Sequence, residues 1–197
     1  DQPLDLGKLD WKTVRYGRQL WQIGIPNRSA SEFLEGNDHW HWGLYIEYSK
    51  LFPHDVDYTI GKSDFHKDWY IYQVPHAISD YGTRRSKGRA TTWTISFNMP
   101  AAQPQGRATK RLTLPGVRPR SIAVGVNDKP AGDITGLIYN ATINRDGIEG
   151  SWVEKDLSFD AALLRPGQNT LTLTVPAGGL TNGVSYDVVR LELADSH

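Results

Sequence analysis

The basic segment at residues 81–90 is the first part of the sequence whose residue types could do chemistry. It holds Arg84, Arg85, Lys87 and Arg89, with no acidic residue among them. Arginine pairs bidentately with carboxylates, so this segment could bind a uronic acid or a phosphate. A solvated basic loop that binds nothing is the alternative interpretation.

Residues 39–42 read His-Trp-His-Trp, so imidazole and indole side chains alternate along the chain. In an extended conformation the two histidines lie on one side and the two tryptophans on the other. The histidines could bind a metal if Asp38 or His54 completed the ligand set. Trp40 and Trp42 could instead stack on a sugar face, and plain core packing is the third interpretation.

The polar segment at residues 62–69 is dense in hydrogen-bond donors and acceptors and precedes a predicted strand. Its side chains could orient a ligand hydroxyl or perform acid–base chemistry, whereas a polar loop with internal salt bridges is the alternative. The residues concerned are Asp64, His66, Lys67, Asp68 and the adjacent Trp69.

The long polar connection at residues 139–152 is the fourth candidate segment. Binding residues often lie on loops that a rigid sheet positions. Asn140, Arg145, Asp146 and Trp152 could hydrogen-bond to a saccharide and stack on it, and a surface crossover closed by glycines is the alternative. The candidate carbohydrate-binding residues of all four segments are therefore Trp40, Trp42, Lys67, Asp68, Trp69, Arg84, Arg85, Lys87, Asn140, Arg145, Asp146 and Trp152.

The composition limits the function classes. The 197 residues include 22 Lys and Arg against 22 Asp and Glu, and no Cys. Zero net charge argues against a nucleic-acid partner, and the lack of Cys excludes a disulfide scaffold, a thiol nucleophile and Cys-ligated zinc. No apolar run reaches membrane-spanning length, so no membrane partner is predicted. The sequence also lacks the common catalytic and nucleotide-binding motifs, and we predict no catalytic residue.

The elements that must position these segments are mostly short strands. Residues 91–99 alternate apolar and polar side chains with the period of a half-buried strand. We predict further strands at 20–25, 57–60, 69–74, 111–114, 121–126, 170–175 and 186–193. Two short helices are predicted, one after the capping-box pattern Ser29–Glu32 and one over Leu44–Leu51. This spacing of short strands predicts a single all-β domain, an antiparallel β-sandwich.

Three stretches, at residues 20–33, 58–69 and 88–95, resemble the C-terminal domain of rhamnogalacturonan lyases of polysaccharide lyase family 4. Similar segments follow in the same order at 143–150, 164–171 and 186–192, so the resemblance covers residues 20–194. It implies a jelly roll with galactose-binding-like topology over residues 20–197. Residues 1–19 resemble the tail of a preceding fibronectin-like domain or its linker. Asp146 stands where many relatives would have histidine.

The resemblance implies a non-catalytic carbohydrate-binding module for rhamnogalacturonan I or a related pectic polysaccharide. A separate catalytic domain performs the β-elimination in this family, so the expected partners are the pectic chain and a lyase domain in the same parent protein. The expected location is secreted or extracellular, with the periplasm as an alternative. One competing hypothesis is a structural domain that braces the lyase without binding sugar. The other is an autonomous lyase or esterase with His66 and Lys67 as acid–base groups.

A structural calcium ion is the single cofactor that we expect, by analogy with similar sandwiches. Calcium prefers oxygen ligands, and Asp187 and Glu192 near the end of the chain are the candidate carboxylates.

Overall fold

The computed structural model describes residues 7–8, 14–78, 86–100 and 104–194. Their strands are β1 (Arg18–Ile23), β2 (Asp57–Thr59), β3 (His76–Ala77), β4 (Lys87–Arg89), β5 (Thr91–Met99), β6 (Arg107–Leu114), β7 (Gly116–Val117), β8 (Ile122–Val126), β9 (Lys129–Ile134), β10 (Val153–Asp160), β11 (Gly167–Val175), β12 (Gly178–Gly179), β13 (Val184–Ser185) and β14 (Val188–Leu193). The α-helices are α1 (Leu44–Leu51) and α2 (Phe65–Asp68), with single 3-10 turns at Gly36–Asp38, Ile143–Arg145 and Ala161–Leu163. Within these described ranges, no helix is long and apolar enough to cross a membrane.

Two main sheets form the sandwich. Sheet A has four strands in the order β1-β14-β6-β10, and all its pairs are antiparallel. Sheet B has five strands in the order β2-β5-β11-β8-β9, and it is antiparallel except where β2 runs parallel to β5. Two small sheets, β12-β4-β3 and β13-β7, close one end. The all-β jelly-roll sandwich that the sequence predicts is therefore confirmed.

The core lies between the inner faces of sheets A and B. On β5 every second side chain points inward, which buries Trp93, Ile95 and Phe97. Sheet A contributes Trp21, whose ring lies 5.5 Å from the ring of Phe97 and so joins the two layers. Aromatic and aliphatic side chains from both sheets thus form one continuous apolar layer.

Most long connections meet at one end of the sandwich, which we call the loop end. In sheet A, β1 and β6 finish there and β10 and β14 begin there, because the pairs Ile23 with Val189 and Leu114 with Val153 are in register. In sheet B, β5 begins and β11 finishes at the same end, since Thr91 pairs with Val175. The described connections at the loop end are 24–56, 69–78, 86–90, 115–121, 135–152 and 176–187.

Residues 14–17, which precede β1, lie against the outer face of sheet A. The backbone N–H of Tyr16 donates to the Glu192 carboxylate at 2.6 Å, and Arg111 Nη1 donates to the carbonyl of Val14 at 2.9 Å. The Arg111 guanidinium also lies 5.1 Å from the centre of the Tyr16 ring. Residues 1–6 and 9–13 lie outside the described residues, and the division at residue 19 stays a prediction.

Two predicted elements differ from the structure. Residues 69–74 are fully buried but irregular, with bridges only from Tyr70 to Leu34 and from Gln73 to Val184. The capping-box segment at residues 29–32 is irregular with a turn at its end, and the Glu32 carboxylate accepts from the N–H of Ile25 rather than capping a helix.

Gln73 connects this irregular segment to both sheets. Its Nε2 donates to the carbonyls of Thr91 at 3.0 Å and Leu173 at 2.7 Å, and its Oε1 accepts from the hydroxyl of Tyr186. All of these groups are buried, so the amide fills the hydrogen-bonding needs of its neighbours where water cannot. The ring of Trp69 lies 4.8 Å from that of Trp93 and 5.4 Å from that of Tyr186, which bonds to the same amide.

The side chain of Lys110 is buried inside the sandwich, although lysine is normally a surface residue. It lies on the inner side of β6, is fully buried, and donates from Nζ to the carbonyls of Arg190 at 3.2 Å and Arg111 at 3.3 Å. Its Nζ is 5.1 Å from the centre of the Trp21 ring. Burial, with a smaller contribution from the Arg190 charge, lowers the pKa of Lys110 well below 10.5.

We expect Gln73→Leu to lower the free energy of unfolding by about 3 kcal/mol, because it removes three buried hydrogen bonds at about 1 kcal/mol each. Tyr186→Phe removes only one of these hydrogen bonds and should cost about 1 kcal/mol. Urea denaturation of both variants measures the difference. Equal losses would contradict a central role for Gln73.

We expect Lys110→Met to raise the free energy of unfolding, because it removes a buried charge. At the pH where this gain is greatest it should be about 1–3 kcal/mol. The gain should be full below the lowered pKa of folded Lys110, where the lysine is charged in both states. It should shrink as the pH rises toward 10.5, because the native state then releases its proton before the unfolded chain does. Thermal unfolding from pH 5 to 10 checks this, with exposed Lys129→Met as the matched control. A pH-independent difference would contradict the assignment to the charge.

Candidate functional site

The Trp40 and Trp42 side chains are exposed at the loop end. They are 66% and 67% exposed, which excludes the core-packing interpretation. The ring of Trp42 lies edge-on to buried Tyr45 at 6.3 Å, and the next residue, Gly43, donates its N–H to Asp146 Oδ2 at 3.3 Å. The loop therefore presents two indoles to solvent from an anchored backbone.

The histidines of this loop do not meet at a metal site. His39 Nδ1 lies 3.2 Å from the carbonyl of Gly36, and His41 Nδ1 lies 3.5 Å from an oxygen of Asp38. Among the described residues, no group of three or more His, Cys, Asp or Glu side chains is arranged to hold a metal ion.

A cleft of about 320 Å³ lies beside this loop. Residues 140–151 form it, and Arg145 and Glu149 contribute the charged groups of its lining. The hydroxyl of Tyr72 donates to the carbonyl of Gly147 at 3.0 Å, which fixes the cleft to the buried segment below. Arg145 is exposed, so its guanidinium is available to an acidic ligand.

Trp152 stands at the end of the cleft and is held by Asp187. Its Nε1 donates to Asp187 Oδ2 at 3.1 Å, and the Arg28 guanidinium lies 5.3 Å from the centre of its ring. Asp187 Oδ1 accepts from the N–H groups of Asn27 and Arg28 at 3.0 and 3.1 Å, and its Oδ2 also accepts from the Thr113 hydroxyl. Trp152 is 37% exposed, so part of its indole stays accessible.

Several predicted binding residues take structural roles. Trp69 is fully buried beneath the surface, so its assignment as a sugar contact is wrong. The Asn140 amide accepts from the N–H groups of Val117 and Thr142 and donates to two carbonyls, which satisfies both of its ends. Asp146 is buried and holds Gly43, so we correct both polar residues from ligand contacts to supports of the loops.

Lys67 and Asp68 lie on α2. Asp68 Oδ2 accepts from the N–H of Asp64 at 2.8 Å, whereas exposed Lys67 lies 3.6 Å from the Asp64 carboxylate. His66 Nδ1 lies 2.7 Å from the carbonyl of Glu32, whose carboxyl pKa is raised by burial. This arrangement agrees with the interpretation of a polar loop with internal salt bridges.

Lys87, a described residue of the basic segment, lies in a different part of the loop end. Lys87 is exposed on β4, which pairs with β3, and His76 of β3 contacts the carbonyl of Phe52 just after α1. Trp42 lies just before the first residue of α1. The helix has eight residues, so its two ends are about 12 Å apart. Arg84 and Arg85 lie outside the described residues, and their role stays a prediction.

The two candidate calcium ligands already bind protein donors. Asp187 accepts from two backbone N–H groups, an indole and a hydroxyl, and Glu192 accepts from the N–H of Tyr16 and from Arg190. These two positions are thus hydrogen-bond acceptors in this fold. The structural calcium ion stays a prediction.

Sequence reasoning missed Arg28, Arg118 and Tyr139. The Arg118 guanidinium lies 5.7 Å from the centre of the exposed Tyr139 ring, which places a second arginine–aromatic pair at the loop end. Nothing in the spacing of these residues indicates the contact, because 21 positions separate Arg118 from Tyr139 and 124 separate Arg28 from Trp152.

Among proteins of known name, the chain is similar to a probable rhamnogalacturonate lyase C of Emericella nidulans, with 28% identity over 92% of this chain and 21% of that protein. A probable rhamnogalacturonate lyase B of Aspergillus flavus is 28% identical over 93% of this chain and 34% of that protein. The chain therefore spans about a fifth to a third of the length of these relatives.

Among solved structures, the CBM35 from Cellvibrio japonicus Abf62 aligns with a TM-score of 0.37 and 17% identity, over 64% of this chain and 84% of that chain. The family model described as "CBM-like: Polysaccharide lyase family 4, domain III" matches residues 19–191. Because this match spans most of the sequence, the chain belongs to the CBM-like domain III family of polysaccharide lyase family 4.

Proposed function

We propose that this domain binds rhamnogalacturonan I or a related pectic chain through the loop end. The observation that carries the proposal is the pair of two-thirds-exposed indoles, Trp40 and Trp42, beside a cleft lined by exposed Arg145. Indole faces pack on the C–H faces of sugars, and guanidinium groups pair with the carboxylates of uronic acids. Alternating rhamnose and galacturonic acid offers both chemistries.

We further propose that the domain is part of an extracellular rhamnogalacturonan lyase. The named relatives are rhamnogalacturonate lyases that are three to five times longer than the matched region. Binding in this domain would raise the local concentration of the attached catalytic domain on the plant cell wall. An affinity of roughly micromolar to millimolar suffices for that role, because even weak binding keeps the attached catalytic domain at a high effective concentration near the glycan.

The bracing hypothesis has its own support in the exposed apolar residues Ile25 and Ile138. A domain that only braces the catalytic unit would use such residues as an interface and would bind no glycan. Calorimetry of the isolated domain against rhamnogalacturonan I, homogalacturonan and a neutral glucan separates the two roles. Absence of heat with all three would contradict sugar binding and favour bracing.

The autonomous-enzyme hypothesis rests on His66 and Lys67, which lie on exposed α2. A lyase would release unsaturated product that absorbs at 235 nm from a panel of pectins. Absence of this product would remove the lyase form of the hypothesis.

We expect Trp40→Ala and Trp42→Ala each to weaken binding of rhamnogalacturonan I by about fivefold, because each removes roughly 1 kcal/mol of stacking. Thermal unfolding should be unchanged, because both side chains are exposed. Val14→Ala is the matched control, since Val14 is 59% exposed and lies on the outer face of sheet A, away from the loop end. Wild-type affinity in both tryptophan variants would contradict the stacking role.

We expect Arg145→Gln to weaken binding of galacturonate-containing chains severalfold and to reduce the salt dependence of that binding, because a charged pair is lost. Arg165→Gln, on the connection at the opposite end of the sandwich, is the matched control and should change neither property.

Alanine at Arg84, Arg85 and Lys87 together tests the predicted basic loop in the same titration. If the triple variant binds pectin as the wild type does, that loop is not part of the site.

A further inference from the structure

Two arginine–aromatic pairs flank the cleft. In one, the Arg28 guanidinium lies 5.3 Å from the centre of the Trp152 ring. In the other, the Arg118 guanidinium lies 5.7 Å from the centre of the Tyr139 ring. Each pair therefore combines a cation with a partly exposed ring, at 37% exposure for Trp152 and 54% for Tyr139.

A single hydrogen bond brings the two pairs close together. Asn140 Nδ2 donates to the carbonyl of Ser151 at 3.2 Å, and these residues directly adjoin Tyr139 and Trp152. The cleft of residues 140–151 lies between the same two positions. One ligand chain that crosses the cleft can therefore meet both rings.

The Arg28–Trp152 pair is held in place before any ligand binds. Buried Asp187 accepts from the N–H of Arg28 at 3.1 Å and from Trp152 Nε1 at 3.1 Å, so one carboxylate positions both members. Among the described residues, none accepts a hydrogen bond from the exposed Arg28 guanidinium. Its donors are thus available to an acidic ligand.

The Arg118–Tyr139 pair is held by a different residue. Asn144 accepts from Arg118 Nη1 at 2.7 Å and donates to the Tyr139 hydroxyl at 3.2 Å. The Thr181 hydroxyl also accepts from Arg118 Nη1. In the described part of the chain both acceptors of Arg118 bind Nη1, which leaves Nη2 and Nε for a carboxylate.

We infer that these pairs are two subsites for acidic sugar residues of the same chain, so that the domain recognises at least two uronates at once. In each subsite the guanidinium binds the carboxylate and the ring contacts the C–H face of the sugar. This inference rests on the proposed function and specifies its ligand as a chain that carries repeated uronic acids.

The experiment is a calorimetric titration with galacturonic acid and with rhamnose–galacturonate oligosaccharides that carry one, two and three uronates. The wild type should gain at least tenfold in affinity at the first length that bridges both subsites, because the second contact becomes intramolecular. Arg28→Gln and Arg118→Gln should each remove this gain and should leave the affinity for single-uronate ligands within about twofold. A variant that weakens all ligand lengths by the same factor would overturn the two-subsite arrangement.

Controls separate a lost subsite from a shifted loop. Tyr139→Ala keeps the hydrogen bonds of Arg118 but removes its ring partner, and it should also abolish the gain with length. Arg165→Gln, at the opposite end of the sandwich, should keep it, and thermal unfolding verifies the fold of every variant. If the wild type binds and the gain in affinity with oligosaccharide length persists in both arginine variants, only this inference is overturned. No wild-type binding to any pectic chain overturns the proposed function as well.

Discussion

The buried carboxylate of Asp187 is the interaction on which the loop end depends. It lies immediately before β14, accepts two backbone N–H groups from the turn at residues 27–28, and accepts from Thr113 on β6 and Trp152 before β10. A buried carboxylate needs hydrogen-bond donors around it, and these four donors come from three different segments of the chain. One side chain therefore sets the positions of the turn, of the indole and of the cleft beside them.

The fold was predictable wherever one face of a strand is buried and the other is solvated. The predicted strand at residues 91–99 has the bounds of β5, because its alternation matches the pleat. β6 begins at Arg107 rather than at Arg111, since the inward position of its first half is Lys110, which breaks the apolar alternation. Residues 69–74 are buried on every side, so their apolar run carries no period that could distinguish a strand from an irregular core segment.

The candidate site was predictable in composition but not in arrangement. For residues 39–42 the sequence left sugar stacking and core packing both open, and the structure exposes the two indoles, whereas Trp69, of the same type, is in the core. Residue type alone cannot tell these apart, because the difference comes from what covers each side chain. Arg28 was missed, and Asp187 was considered only as a calcium ligand, for the opposite reason. Their roles arise from contacts between segments that are distant in the sequence, and neither stands in a recognisable motif.

The pairing of β1 with β14 gives the domain a polarity. Arg18 and Leu193 lie side by side at the end of sheet A that faces away from the loops, and residues 14–17 follow the outer face of the same sheet. The start of β1 and the end of β14 are therefore at one pole of the sandwich, and the exposed indoles occupy the other. A glycan bound at the indoles, as proposed above, would therefore leave the far ends of β1 and β14 uncovered.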